Sequence, residues 1–358
     1  LWAQPCSINL GPDHTICQGQ SVTLPAPGGF PNYLWSTGAT SQSISVGSSG
    51  TYWGEASYTS PQLFPNSNFN AGNTGFGSDF TATTDLSSDG RYWVGTNPNA
   101  YHNQFFGTGS GNFLIVNSGW TSALWNVYCQ QVTVCPGQTY TLSYWVRTLS
   151  NATPARLQWW VDGVAVGGEV TLPAFGSGWQ MITQSWTSGA GVTSATLCLR
   201  AMSGEGVGND FGLDDITMQG TIRLRDHVDV TVTPLPVVDL GPDAVMCQGQ
   251  NLVLDAGVTG GTYVWQDGSG SSGYVVSGPG TYHVTVTANA CPASDTIVVA
   301  YNPLPIVDLG ADTTLCSGET HLLNAQVPGG SYVWQNGNTA PFFNVSAPGT
   351  YSVQVTVN

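Results

Sequence analysis

Apolar and polar residues alternate in short runs along much of the chain, as in "TYHVTVTA" (281–288) and "TYSVQVTV" (350–357). A period of two places successive side chains on opposite faces of an extended backbone, so each run predicts a half-buried strand. Clusters of Gly, Pro, Ser and Asn separate the runs and supply turns. No segment repeats apolar residues at helical spacing for three turns, and no apolar run reaches the roughly 20 residues of a membrane-spanning helix. The pattern predicts an all-β protein.

The spacing of the runs shows internal repetition. "LGPDHTICQGQSVTL" at Leu10, "LGPDAVMCQGQNLVL" at Leu240 and "LGADTTLCSGETHLL" at Leu309 are one motif. Cys17, Cys247 and Cys316 are each followed at fixed distance by Trp35, Trp265 and Trp334, then by Tyr52, Tyr282 and Tyr351 of "GTY". Unslipped spacing in three copies predicts three small antiparallel sandwiches, each with its Trp in the core and its Tyr hydroxyl bonded to backbone. The second copy ends in "SDTIVVAYNPLP" (294–305), and "RDHVDVTVTPLP" (225–236) has the same form although no repeat starts just before it. The first repeat is therefore expected to break off, detour through a separate domain and resume for its last strand. Insertion of this kind is tolerated where the ends of the inserted domain lie close together. The expected divisions are 5–59 with 221–236, an insert over 60–220, a second repeat over 237–305 and an incomplete third over 306–358.

Within the insert, runs such as "TYTLSYWVRT" (139–148), "ARLQWWVDG" (155–163) and "ATLCLR" (195–200) predict eight or nine strands, which suits a jelly-roll sandwich. Alternation assigns Tyr140, Leu142, Tyr144, Val146, Leu157, Trp159, Val161, Leu197 and Leu199 to its core. The opposite positions hold Trp145, Arg147, Arg156, Gln158, Trp160 and Arg200. If the three strands are neighbours, these six residues form one surface. Indole faces stack on sugar C–H groups while amide and guanidinium groups bond hydroxyls, so the surface is a candidate glycan site. Packing against the host repeat or a neighbouring subunit is the other reading, because Trp and Arg also mark protein interfaces.

The chain has 46 Gly, 21 Pro and 13 Trp among 358 residues, and its net charge is −15 with no Lys. Nucleic acids and anionic membranes are bound through Lys and Arg, so the charge argues against both. Eight cysteines without a C-x-x-C pair point to disulfides and an oxidising compartment. "LWA" before Gln4 reads as the tail of a cleaved export signal. The expected bridges are Cys6–Cys17, Cys247–Cys291 and Cys129–Cys198, with Cys135 unassigned. The offset from Cys247 to Cys291, applied to Cys316, falls at position 360, so the natural chain is expected to continue and supply that cysteine.

The motifs "LG-x-D-x-x-x-C-x-G", "Y-x-W", "GTY" and the "NPLP" hinge resemble the Ig-like or PKD-like modules of Bacteroidota secreted and cell-surface proteins, of adhesin and gliding-motility type. The likeness covers about 200 residues. It implies Ig-like stalk modules and type IX export. The insert opens with "N-x-N-F" (66–69, extended to Asn70) and closes with "L-D-D-I" (213–216), and so resembles carbohydrate-binding-module jelly rolls of the galactose-binding-like kind. That resemblance implies a structural calcium held by Asn68, Asn70 and Asp215 with Asp214 beside them, although Asn70 stands where the family more often has an acid. Asp295–Ile297 and Asp312–Thr314 also resemble short O-glycosylation sites of such exported proteins.

No G-x-S-x-G, P-loop or H-E-x-x-H motif occurs, and the five His residues are scattered. Asp214 and Asp215, adjacent on an expected strand, should point to opposite faces and so cannot form an acid/base pair. The sequence thus predicts a non-catalytic, exported surface protein whose jelly roll binds glycan. The alternative is a subunit of a surface filament or sheath, with the jelly roll as assembly contact.

Overall fold

The computed structural model describes residues 5–119, 124–202 and 209–357. Leu1–Ala3, read above as the end of a leader, and Gln4 lie outside the described residues. These are built from β-strands and one 3-10 turn, Pro98–Ala100, with no α-helix among them. The chain divides into two compact units, Leu1–His14 with Ser21–Thr231, and Thr15–Gln20 with Val232–Asn358.

The first unit contains the jelly roll, ten strands among the described residues. One sheet has the order Gln180–Thr187, Thr139–Thr148, Phe211–Gln219, Phe113–Asn117, Arg91–Gly95, Thr81–Ala82. The other has the order Val164–Thr171, Arg156–Val161, Ser194–Met202, Trp125–Thr133. The residues assigned inward by alternation meet between the two sheets in one buried cluster. Tyr144 of one sheet lies edge-on to Trp159 of the other, ring centroids 6.2 Å apart. Their neighbours in sequence therefore face outward on opposite sides of the sandwich.

Alternation is interrupted in Phe211–Gln219. Leu213 and Ile216 are both buried, while Asp214 is half-buried and Asp215 exposed. The pairing with Thr139–Thr148 slips between Ser143 and Trp145, and Asp215 has φ +46°. This is a β-bulge, whose extra residue carries the inward face from odd to even positions. The two aspartates do not straddle the sheet as a straight strand would require, because both occupy the outward bulge.

The same unit holds the interrupted first repeat. Thr221–Thr233 pairs antiparallel with Gly50–Thr59, Val228 opposite Tyr52, and Gly50–Thr59 pairs onward with Asn32–Trp35. The chain leaves this sheet at Ser60 and returns at Gly220. Ser60 N–H donates to the Gly220 carbonyl at 2.8 Å, and Gly220 N–H donates to Ser60 Oγ at 3.0 Å. Tyr58, Ile222 and Leu224 join the jelly-roll core, so the repeat and its insert share apolar packing.

In the second unit, the second repeat forms a sheet of order Ala244–Cys247, Cys291–Asn302, Gly280–Ala288, Thr262–Trp265, and a pair of Leu252–Asp255 with Gly273–Val276. The third repeat pairs His321–Asn324 with Phe342–Val345, and Gly330–Trp334 with Val353–Val357. Trp35, Trp265 and Trp334 are buried, and each indole N–H donates to a carbonyl six residues on, that of Ser41, Ser271 or Ala340. The hydroxyls of Tyr52, Tyr282 and Tyr351 donate to carbonyls four residues back. The shared spacing thus encodes a shared core.

The disulfides are Cys6–Cys135, Cys17–Cys291 and Cys129–Cys198, while Cys247 and Cys316 are free and exposed. This replaces the expected Cys6–Cys17 and Cys247–Cys291, and gives Cys135 its partner. The reason is strand length. Cys247 pairs with Asn302, the last residue of the strand that Cys291 begins. Eleven steps of about 3.3 Å put those cysteines roughly 35 Å apart, whereas a disulfide needs Cα atoms within about 7 Å. Likewise the residue before Cys6 accepts a hydrogen bond from Tyr58, near the start of Thr221–Thr233, while Gln18 beside Cys17 bonds to Thr233 at its end. The first-strand cysteine of a repeat lies at the far end of its module and cannot reach back.

Candidate functional site

The two-sheet arrangement splits the surface expected from alternation. Trp145 and Arg147 project from the six-stranded sheet, whereas Arg156, Gln158, Trp160 and Arg200 project from the four-stranded one. Thr139–Thr148 is not a neighbour of Arg156–Val161, and that condition for a single surface is not met.

On the four-stranded face the polar groups are engaged with one another. The Arg200 guanidinium lies over the Trp160 ring at 4.3 Å and its Nε donates to Asn126 Oδ1. Arg156 pairs with Glu169 at 2.7 Å, and Gln158 donates to the Gly167 carbonyl. Cys129–Cys198 crosses the same sheet between Ser194–Met202 and Trp125–Thr133. The Arg200 guanidinium thus occupies one face of the Trp160 indole.

The six-stranded face differs. Trp145 is 39% exposed and Met181, directly across the strand pair, is 57% exposed. Asp214 lies opposite Trp145 on its other side, next to the bulge at Asp215. Two residues along, Arg147 Nη1 donates to the Thr108 carbonyl at 3.1 Å, and Trp179 Nε1 donates to the same oxygen at 3.2 Å. Arg147 also lies 5.6 Å from the Trp179 ring, and its Nε is buried without a hydrogen-bond partner. Gly107, at φ +110°, lets the loop come this close; a Cβ there would fall 2.1 Å from the guanidinium carbon. Beyond Trp179 the sheet is covered by a satellite core of Leu86, Phe105, Phe113, Ile115 and Leu149. The open part of this face is therefore a short apolar platform, Trp145 with Met181, bordered by one carboxylate and one guanidinium.

The electrostatics of that border follow from burial. Desolvation raises the Asp214 carboxyl to about 6; the Asp215 charge adds to the rise and a hydrogen bond from Asp215 N–H opposes it. Desolvation also lowers Arg147 below the usual guanidinium value. Both charged groups are poorly hydrated on the protein side, so each gains from a hydroxyl that bonds to it.

The four residues expected to hold calcium are engaged in backbone hydrogen bonds at one corner of the sandwich. Asn68 Oδ1 accepts from Asn70 N–H, Asp214 Oδ1 from Asp215 N–H, and the Ser67 carbonyl from Ile216 N–H. Among the described residues no three acidic, His or Cys side chains converge as a metal site.

Of the candidate face, sequence reasoning found Trp145 and Arg147 but not Met181, Trp179 or the place of Asp214 beside Trp145. The alternation of "WQMITQSW" (179–186) carried the signal for Met181, and only the pairing register shows which strand it neighbours.

No protein-family model matches the chain, and no curated protein matches it. Solved structures similar to it include a Stig cyclase from Fischerella sp. TAU, at 12% identity over 48% of this chain and 100% of that one, TM-score 0.36. A structure described as CBM4 is similar at 16% identity over 44% of this chain and 99% of that one, TM-score 0.27. The CBM22-1 xylan-binding domain of Paenibacillus barcinonensis Xyn10C is similar at 15% identity over 43% of this chain and 91% of that one, TM-score 0.29.

Proposed function

We propose that this chain is a non-catalytic surface protein whose jelly roll binds a neutral glycan on its six-stranded face, with the Ig-like repeats as the stalk that presents it for adhesion. One observation carries the reading: Trp145 stands open beside Met181, between Asp214 and the Arg147 strand position, while Trp160 is capped by Arg200. A flat indole flanked by under-hydrated hydrogen-bonding groups suits a sugar ring, which is apolar on one face and ringed with hydroxyls. The net charge of −15 favours neutral over acidic polysaccharides. Three disulfides fit an oxidising compartment, which supports export. No helix among the described residues is long and apolar enough to cross a membrane.

A glycan array followed by calorimetry tests this. Trp145→Ala is expected to weaken binding about five- to thirtyfold, the loss of one stacking contact of about 1–2 kcal/mol. Trp160→Ala is expected to leave the affinity of the folded protein within about twofold. Absence of any glycan ligand, or equal losses in both variants, refutes the assignment. The alternative role, an assembly contact of a surface filament or sheath, is favoured by one feature of the same face: Trp145, Met181 and Phe106 are all exposed large apolar side chains. Ordered polymers of purified protein that Trp145→Ala disperses would decide for that role.

A further inference from the structure

The three repeats share a core but differ on their surfaces, and the differences are complementary. In the first repeat the outward positions of Gly50–Thr59 and Thr221–Thr233 carry Trp53, Glu55, Arg223, Arg225 and His227, with Leu34 exposed on the next strand. Two of the chain's six arginines thus stand two residues apart on one strand. The corresponding positions of the second repeat hold His283, Thr285, Pro292, Ser294 and Thr296. Where Arg225 pairs with Glu55 across the strands, Thr285 and Ser294 share a neutral hydrogen bond at 2.8 Å. In the third repeat Ser352 and Gln354 stand in place of Trp53 and Glu55. The repeat fold does not need the ionic and aromatic side chains of the first copy.

Those side chains are held in place. Glu55 is buried, and its two oxygens accept from Arg223 Nη1 and Arg225 Nη2 at 3.0 Å each. The Arg225 guanidinium lies 3.9 Å from the Trp53 ring centroid. A guanidinium has five N–H donors, and Glu55 engages one nitrogen of each. Both arginines remain more than half exposed on an open sheet face. Trp and Arg on such a face are the composition of a protein interface.

The second and third repeats carry something the first lacks. Val237 and Ile306, 87% and 91% exposed, are the most exposed large apolar side chains among the described residues. They hold equivalent places three residues before Leu240 and Leu309, and Asp239 and Asp308 follow two residues later. Burial alternates here, so each apolar residue and its aspartate face outward while Val238 and Val307 pack on the repeat cores. In the first repeat the same places hold Ser7 and Asn9. Asn9 Oδ1 accepts from Gly11 N–H just as Asp239 Oδ1 accepts from Gly241 N–H and Asp308 Oδ1 from Gly310 N–H. The turn forms without the charge, and the fold requires neither the apolar side chain nor the acid.

We propose that the Val237–Asp239 and Ile306–Asp308 segments of one copy of this chain dock on the Trp53–Arg223–Arg225 face of a second copy, the apolar residue against Trp53 and Leu34 and the carboxylate on the guanidiniums. Charge complementarity selects a second copy. With 21 acidic residues and a net charge of −15, two copies repel over most of their surfaces, and the paired arginines are where one can receive carboxylates of another. Donor and acceptor patches differ, so the contact is heterologous and joins copies in an open row rather than a closed pair. It is separate from the six-stranded face of the jelly roll and does not depend on glycan binding there.

Sedimentation velocity of the purified protein tests this. Self-association with a dissociation constant of ~0.1 mM is expected for a contact of a few side chains, weakened at least about threefold when ionic strength rises from ~0.05 to ~0.5 M. Giving the donor segments the residues of the first repeat, by Val237→Ser, Asp239→Asn, Ile306→Ser and Asp308→Asn together, should weaken it at least about tenfold. All four positions are exposed, so the melting temperature should not change. His227→Glu, which adds a negative charge beside the arginines, should weaken association to the same extent. A mixture of the two variants should associate again, because one keeps the acceptor and the other the donors. The proposal is overturned by a protein monomeric up to about 1 mM, by association indifferent to salt or to the four donor substitutions, or by a mixture that stays monomeric. Association lost in Trp145→Ala but kept in the donor variant would place the contact on the jelly roll instead and overturn it equally.

Discussion

At the scale of single residues, the fold depends on a few positions where a side chain would occupy space already taken. Gly220 marks the return of the chain from the jelly roll to the first repeat, and a Cβ there would lie 2.5 Å from the Thr139 carbonyl oxygen. Backbone cannot yield as a side-chain tip can, so Gly220→Ala is expected to cost about 1–3 kcal/mol. A urea denaturation midpoint equal to that of the unaltered protein would show the junction to be looser than this. Glu55 illustrates a different constraint. It is buried and paired at 3.0 Å with both Arg223 and Arg225, of which the latter also stacks on Trp53. Both arginines are more than half exposed, which limits what the pairs contribute.

At the scale of elements, the bulge in Phe211–Gln219 links strand geometry to pH. It holds Asp214 half-buried and opposite Trp145, and the carboxyl rises to about 6. A folded-state value above the unfolded value of about 3.9 means that the folded form binds the proton more tightly. The resulting stabilisation is complete below pH about 4 and is lost as pH rises through about 6. Asp214→Asn removes the titration, so the variant is expected to be more stable than the unaltered protein at pH 7, by about 1 kcal/mol after allowing for solvent on the exposed side. The difference should shrink toward zero near pH 4. Melting temperatures of both proteins across that range check the sign. A difference independent of pH would remove the carboxyl's titration as the cause.

At the scale of the whole molecule, the disulfides join segments far apart in sequence, with separations of 129 residues for Cys6–Cys135 and 274 for Cys17–Cys291. Cross-links that close long loops restrict the unfolded chain most, and each is expected to stabilise by about 2–5 kcal/mol. Alkylation without prior reduction should label Cys247 and Cys316 alone. Labelling of Cys17 or Cys291, or a Cys247–Cys291 peptide, would restore a closed module.

Local rules wrote much of this protein into its sequence. Period-two alternation and turn residues fixed the all-β class. The repeated Cys–Trp–Tyr spacing fixed the repeat core, because a buried Trp and a backbone-bonded Tyr depend on near neighbours. The recurrence of Asp226–Val230 as Asp295–Val299 even revealed a strand separated from its sheet. What required the tertiary structure was the order of the strands within the jelly roll and the partners of most cysteines. Alternation reports which side of its own strand Trp145 or Trp160 occupies, but sheet order places those sides on opposite faces of the sandwich. The bulge at Asp214 depends on register against a partner strand, and the partners of Cys6, Cys17, Cys135 and Cys291 depend on which ends of long strands meet. Non-local pairing is decided by the packing of the whole core, and a linear pattern of residues carries no measure of it.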